Sequence, residues 1–248
     1  MLRPQLAPRQ LAHQHLRLEG ELGVLCWNTQ KLTLDGDFRR CLTRLMGQFP
    51  TALLLLQEAK LAMNGGLRLE GWSYAVSPNI QTHSHLFGVL TAARCAFDEV
   101  AALLSHTREL NFATHKSLIL TRHPLADQRQ LLVANIHAIN FVRHGLFYNE
   151  IAALKRELFQ HRGPLIVAGD FNVWNKKRRR YLSDFCWEMG LAQAVMEDPH
   201  HIKSLFRQPL DFIFYRDLTL RSAIAIDTQV VSDHNPIYAR FSLSEKPG

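Results

Sequence analysis

Closely spaced cysteines are missing from this sequence. The four it has, Cys26, Cys41, Cys95 and Cys186, lie far apart among mostly apolar neighbours, with no CxxC pair and no cysteine–histidine cluster at zinc-finger spacing. That excludes a disulfide framework and a zinc-finger site, and leaves four buried, reduced thiols as the simplest reading. No apolar run approaches the ~20 residues that a membrane helix needs, so no stable membrane insertion is expected. Met1–Leu22 is polar and lacks the apolar core of about 7–15 residues found in a secretory signal, so the expected location is the cytoplasm. Internal repeats, low-complexity tracts and a dividing linker are absent too. Acidic residues are in deficit, 22 against 29 Lys and Arg, for a formal net charge of +7. A positive field attracts phosphate polymers or anionic surfaces, but an excess of this size does not identify a partner by itself.

What is present suits a single globular α/β domain. The 248 residues are 47% hydrophobic and 21% charged, which excludes a disordered or fibrous chain. Residues 1–20, with Pro4 and Pro8 and no clear period, read as a flexible arm, and 21–244 as the domain. Leu22–Trp27, Leu53–Leu56 and Leu165–Ala168 are short continuous apolar runs, the mark of strands buried on both faces. Trp72–Val76 and Leu86–Ala92 read as strands joined by a loop containing Pro78 and Asn79. Ser117–Thr121 and Leu131–Ile136 form another adjacent pair, linked through His123-Pro124. Phe212–Tyr215, Leu220–Ile226 and Ile237–Phe241 complete the strands. Helical spacing covers Phe38–Phe49, Leu146–His161 and about Lys176–Met189. Helices separate some strands and turns separate others, which predicts one mixed sheet or two sheets packed face to face with helices outside.

Polar residues collect where the apolar runs stop. LGVLCW ends in Asn28, LLLLQ in Glu58, LLVANI in His137, and PLIVAG in Asp170 with Asn172 two positions on. Asp211 stands directly before FIFY, and Asp233-His234 precedes the last strand. Taken singly, each reads as an N-cap, a turn residue or a structural histidine. Taken together, they would line one rim of the sheet, where ligands gather in α/β proteins. Asp211 joins them if its strand runs antiparallel. An acidic pocket in a basic protein repels itself unless a cation sits in it. Oxygen donors without cysteine suit magnesium, manganese or calcium rather than zinc. Beside such an ion a carboxylate can orient a water for in-line attack on phosphorus.

The segments CWNTQ, LLLQEA, NIHAIN, AGDFNVW, LDFIFY and SDHNPI stand in the order and spacing of the endonuclease/exonuclease/phosphatase (DNase I-like) superfamily, which the chain resembles from residue 24 to residue 240. Within it, NIHAINF, PLDFIFYR and SDHNP look most like the bacterial YafD-like proteins. The resemblance implies a four-layer α/β sandwich, two packed mixed β-sheets flanked by helices, and a phosphodiesterase dependent on Mg2+ or Mn2+. It implies Glu58 as the principal metal ligand, supported by Asn28 and by Asp211 or Asp233. Asp170 would orient or deprotonate the attacking water, with Asn172 holding it and a phosphate oxygen. His234, oriented by Asp233, would stabilise the transition state, and His137 would contact phosphate or assist the leaving group. Exonuclease III-like abasic-site enzymes usually carry Tyr where this chain has His137, which argues against a specialised DNA-repair role.

For the substrate, the run Lys176, Lys177, Arg178, Arg179 and Arg180 follows the GDFN segment, and Arg143 and His144 follow the His137 segment. Such a run is a solvated helix face or a set of phosphate contacts that give affinity without sequence readout. Trp174 is either packing at a helix start or a base-stacking surface. Three expectations follow. The first is a nuclease acting on nucleic acid. The second is a phospholipid or inositol-phosphate hydrolase, which would show an exposed apolar hairpin; Ala101–Leu104 is apolar but short. The third is a non-catalytic phosphate-binding module, which would be expected to have lost Glu58, Asp170 or His234.

Overall fold

The computed structural model describes residues 9–32, 36–63, 69–97, 99–104, 117–138, 144–206, 208–229 and 231–243. In chain order its elements are β1 (Arg9–Gln10), β2 (Glu21–Asn28), α1 (Gly36–Gln48), β3 (Leu53–Ala62), β4 (Ser73–Gln81), β5 (His85–Ala93), β6 (Glu99–Leu104), β7 (Ser117–Pro124) and β8 (Gln130–His137). Then come α2 (His144–Phe159), β9 (Leu165–Asp170), α3 (Lys176–Glu188), β10 (Ala192–Gln193), a 3-10 turn at Pro199–His201, β11 (Ser204–Leu205), β12 (Gln208–Pro209), β13 (Asp211–Arg216), β14 (Leu218–Ala225) and β15 (Ile237–Leu243).

Two mixed sheets pack face to face. One runs β1-β4-β5-β3-β2-β15-β14 and the other β10-β13-β9-β8-β7-β6, while β11 and β12 form a separate hairpin. The period-2 alternation of each buried strand splits its apolar run between two cores. Leu22, Val24 and Cys26 of β2 meet Leu131, Val133 and Ile166 between the sheets. Leu25 and Trp27 of the same strand point outward to Phe38, Leu42 and Leu45 of α1. On the other side, Leu132, Leu165 and Val167 point outward to Phe147, Ile151 and Leu154 of α2 and Leu182 and Phe185 of α3. The layers are therefore helix, sheet, sheet, helices. Each fully buried Leu, Ile or Val contributes roughly 1.5–3 kcal/mol, and the division into cores on both faces of each sheet explains the unbroken hydrophobic runs. All four cysteines are free and buried. No helix among the described residues is long and apolar enough to cross a membrane.

Several boundaries differ from the sequence reading. β4 continues through Pro78 and Asn79, which sit at a bulge between Pro78 and Ile80; a bulge accommodates the missing N–H of proline. β7 likewise runs through His123-Pro124, and the turn falls at Leu125–Arg129. Ala101–Leu104 belongs to β6, the edge strand of the second sheet. Residues 9–20, read as part of a flexible arm, lie against the domain. Arg9 and Gln10 pair with β4, Ala12 N donates to Ser73 Oγ (3.0 Å), and Leu18 is buried and bridges Leu125.

Candidate active site

The site forms where both sheets end on the same rim. β2 and β3 are parallel, as are β8 and β9, so Asn28 at the end of β2, His137 at the end of β8 and Asp170 at the end of β9 arrive together. β13 runs antiparallel to β9 with Asp211 directly opposite Asp170, which brings Asp211 to the same place. Glu58 gets there differently. β3 does not stop at Glu58 but continues to Ala62, and a bulge between Leu56 and Ala59 turns the carboxylate to the rim. Glu58 has φ of 52° and Asn172 of 50°, left-handed conformations that cost a side-chain-bearing residue roughly 1–2 kcal/mol each and gather at functional sites.

The hydrogen bonds fix the carboxylates. Asp170 Oδ2 accepts from Asn28 Nδ2 (3.1 Å) and Asp170 Oδ1 from the Asn172 amide (3.0 Å). Asn28 Oδ1 in turn accepts from the Gln30 amide (3.1 Å). His137 Nε2 lies 3.5 Å from Glu58 Oε1 and 3.8 Å from Asp170 Oδ2, between the two acids. Asn172 Nδ2 donates to the Ala138 carbonyl (3.1 Å), tying the β8 and β9 loops together. Beneath the rim, Gln57 of the first sheet donates to Asn135 Oδ1 of the second (2.7 Å), a buried link between the sheets. Its sequence signal was a polar residue one or two positions inside each apolar strand.

His234 is held by Asp211, with Nδ1 2.7 Å from Asp211 Oδ2. Burial pulls its pKa down, but the carboxylates around it, Asp211 first and then Asp170 and Asp233, more than reverse that and hold the imidazolium up to about 9. This corrects the expectation that Asp233 orients His234. Asp233 is exposed, pairs with Lys203 (3.3 Å) and receives no bond from the ring. The physical reason is register: antiparallel β13 delivers Asp211 into the pocket, whereas Asp233 lies on the solvent side of its turn. Trp27 Nε1 donates to the His234 carbonyl (2.8 Å) and Ser232 Oγ to the Asn28 carbonyl (2.9 Å), which anchors the SDHN loop over β2.

A second correction concerns Arg178, expected as a phosphate contact. It is fully buried, donates to the Asn172 carbonyl (3.0 Å) and lies 4.8 Å from the Phe147 ring centroid and 5.4 Å from that of Trp174. It therefore braces the left-handed turn that carries Asn172, a role the basic run concealed. Lys176 and Lys177 are exposed at the start of α3, where Asn175 Oδ1 caps the helix by accepting from the Arg178 amide (3.0 Å). Trp174 is half-buried, 6.1 Å from the ring of Phe206. Arg143 lies outside the described residues; His144 begins α2.

The donor set fits a hard cation. Asp170, Asp211 and His234 bring ligand atoms within 4.8 Å of one another. Held as an imidazolium by Asp211, His234 has no lone pair to offer, so the open donors are carboxylate oxygens, and Asp211 Oδ1 is buried with no hydrogen-bond partner. Glu58 and Asn28 add oxygens on the same rim, a donor set that suits a hard cation rather than zinc.

Known proteins can be compared with this geometry. The sequence profile of the Endonuclease/Exonuclease/phosphatase family matches residues 25–234. A UPF0294 protein of Yersinia pestis is 36% identical over 224 residues, 89% of this chain and 83% of that one. Among solved structures, Danio rerio TDP2 complexed with a single-strand DNA product superposes with a TM-score of 0.63 at 15% identity, covering 90% of this chain and 99% of that one. The mannosyl-6-phosphatase Bt3783 of Bacteroides thetaiotaomicron superposes with a TM-score of 0.64 at 15% identity, covering 90% and 100%. At these identities the structural likeness is one of fold.

Proposed function

This chain belongs to the endonuclease/exonuclease/phosphatase family of phosphoric-ester hydrolases, and from that premise we propose that it is a divalent-metal-dependent phosphodiesterase acting on nucleic acid. The observation that carries the chemistry is the run of contacts along one rim: Asn28 on Asp170, His137 between Glu58 and Asp170, Asn172 on Asp170, and Asp211 on His234. Glu58 and Asn28 would hold Mg2+ or Mn2+, with Asp211 Oδ1 available as a further donor. A bound divalent ion would supply Lewis-acid polarisation of a phosphate oxygen.

The chain's own residues supply the rest. Asp170, held by the Asn28 and Asn172 amides, would orient a water and take its proton. Asn172, locked by Arg178 and Ala138, is positioned to hold that water and a phosphate oxygen. His234 keeps Nε2 to donate to the charge developing on phosphorus, as an imidazolium that Asp211 sustains. His137 would contact phosphate or protonate the leaving oxygen. Proton transfer of this kind is typically worth about 10²–10⁴-fold in rate.

The formal charge of +7 and the exposed cations at the start of α3 favour a phosphate polymer over a small ester. A lipid or inositol phosphate is the second reading, favoured by Phe206, exposed on the β11–β12 hairpin close to Trp174. The test is incubation of the purified protein with plasmid DNA, single-stranded RNA and bis(p-nitrophenyl) phosphate, with magnesium or manganese and with EDTA. EDTA-sensitive nicking that Glu58→Gln lowers at least a hundredfold, with unchanged thermal unfolding, is the expected result. Turnover of the generic ester or of phosphatidylinositol phosphate vesicles without any cleavage of nucleic acid would replace this reading with the second.

A further inference from the structure

Helix α3 has three faces. Arg178, Leu182 and Phe185 are buried against the second sheet. Tyr181 and Glu188 face α2, through the Tyr181–Tyr148 ring contact (4.4 Å) and the Lys155–Glu188 ion pair. The third face carries Lys176, Arg179, Arg180, Ser183 and Trp187 at three-to-four-residue spacing, and it forms one wall of a cleft of about 890 Å³. Gln193, Pro209 and Phe212 close the far wall. Among the described residues, three cations and no carboxylate line this cleft. In a chain with 22 acidic residues, that composition leaves a positive potential unneutralised from within.

The cleft leads to the active site. It shares Gln193, Pro209 and Phe212 with a second cleft of about 510 Å³, and that one reaches Asp211, the partner of His234. One exposed ring lines the first cleft, and another stands on the hairpin whose Ser204 and Pro209 line the second. Trp187 is 84% exposed at the distal end of α3, and Phe206 is 71% exposed beside Trp174, two residues after Asn172. An exposed tryptophan at 84% packs on almost nothing, so its place on the cationic face is not explained by the core.

We propose that this cleft is a binding track for single-stranded nucleic acid leading away from the scissile phosphate. Arg179, Arg180 and Lys176 contact successive phosphates, and Trp187 stacks on a base at the far end. The inference rests on the reading of the site as a nuclease and adds the form of its substrate. Aromatic stacking requires bases that are not already paired and stacked, which selects a single strand. The 13 residues of α3 span about 20 Å at 1.5 Å per residue, long enough for several nucleotides of an extended strand. A concave cleft bounded by Pro209 and Phe212 admits a strand and keeps Arg180 from lying flat on a bilayer.

The test reads binding without turnover. Fluorescence anisotropy in EDTA compares labelled oligothymidylates of 3 and 20 nucleotides, on the wild type and on the double variant Arg180→Ser/Trp187→Ser. Both positions are on the helix surface, so folding is not at stake. The wild type should bind the 20-mer at least tenfold more tightly than the 3-mer. The variant should lose at least tenfold on the 20-mer and much less on the 3-mer. Its log–log salt slope should fall by about 0.7, the value for one phosphate contact on a single strand. Equal affinity of the wild type for both lengths, an unchanged 20-mer affinity in the variant, or Arg180- and Trp187-dependent uptake on phosphatidylserine vesicles without oligonucleotide binding would each overturn the proposal. An unreactive protein that still shows the length-dependent binding would sink the hydrolytic reading alone. Cleavage of nucleic acid by a variant with unaltered binding would spare that reading and remove this inference.

Discussion

Replacing Asp211 with Asn removes one formal charge from a buried pair without changing its shape. In the wild type, burial favours neutral His234 and Asp211 opposes it, with a net pKa of about 9. With Asp211 gone, the largest remaining influence is burial, set against the charges of Asp170 and Asp233, and His234 should titrate no higher than its ordinary value of about 6.5. At pH 7.5 the imidazolium fraction would then drop from about 97% to less than about a tenth, so loss of the charged form alone lowers turnover about tenfold. At pH 8.5 the corresponding loss exceeds about fiftyfold. The same coupling bears on stability. A raised histidine pKa stabilises the fold fully below about 6.5 and loses that contribution as pH climbs through about 9, for a total of about 3 kcal/mol at 1.36 kcal/mol per unit. Two measurements check this: histidine-ring NMR titration of the metal-free protein, and kcat/KM against pH for wild type and variant. A His234 that still titrates near 9 in the Asp211→Asn protein would refute the assignment of Asp211 as its partner, as would a basic limb of the activity profile that does not move.

Away from the site, His123 is completely buried beside Thr121 and Cys95, and burial lowers its pKa to about 4. The unfolded chain therefore takes up a proton that the folded one refuses, and stability falls as pH drops from about 6.5 towards 4; the loss between pH 7 and pH 5 is about 2 kcal/mol. Urea unfolding of His123→Gln across that interval should show a shallower dependence, and parallel curves for the two proteins would contradict it. Arg178→Met removes the charged bond to the Asn172 carbonyl, which is worth about 1.5–3 kcal/mol, or roughly a 6 °C fall in Tm for a chain of this size. Because the left-handed turn at Asn172 relaxes as well, kcat should fall at least tenfold with KM little changed. Equal loss in KM and kcat would place Arg178 in substrate binding instead.

The rim was legible because polar residues interrupt apolar runs at Asn28, His137 and Asp170, and strand ends are where such interruptions fall. What the sequence could not supply was register. Asp211 and Asp233 are equally plausible partners for His234 until β13 is paired with β9, because only that pairing sets Asp211 opposite Asp170. The bulge that presents Glu58 was hidden for a related reason: the run LLLLQEAKLA carries an extra residue whose effect depends on its partner β5. Arg178 was misread as surface because charge outweighed period. It lies four and seven residues before Leu182 and Phe185, so helical spacing already placed it on the buried face. The chain before β2 was read as an arm from its prolines. The buried Leu18, which returns that segment to the domain, is one apolar side chain in a polar stretch and carries no periodicity.

Asp170 and Asp211 stand directly opposite one another on adjacent antiparallel strands, an arrangement that like charges ordinarily destabilise. The pocket tolerates it by satisfying the two acids with different chemistry. Asp170 accepts from the neutral amides of Asn28 and Asn172, which hold it in place. Asp211 faces an imidazolium, which offsets its charge. Two carboxylates in neighbouring positions thereby sit in opposite environments, and under the proposed function one would take a proton while the other sustains a positive charge. That division follows from a register that brings two partners from the first sheet, Asn28 from β2 and His234 from the loop before β15, onto a strand pair of the second. A phosphoryl-transfer site of this kind requires the rims of both sheets, which is why its residues are spread from position 28 to position 234 of the chain.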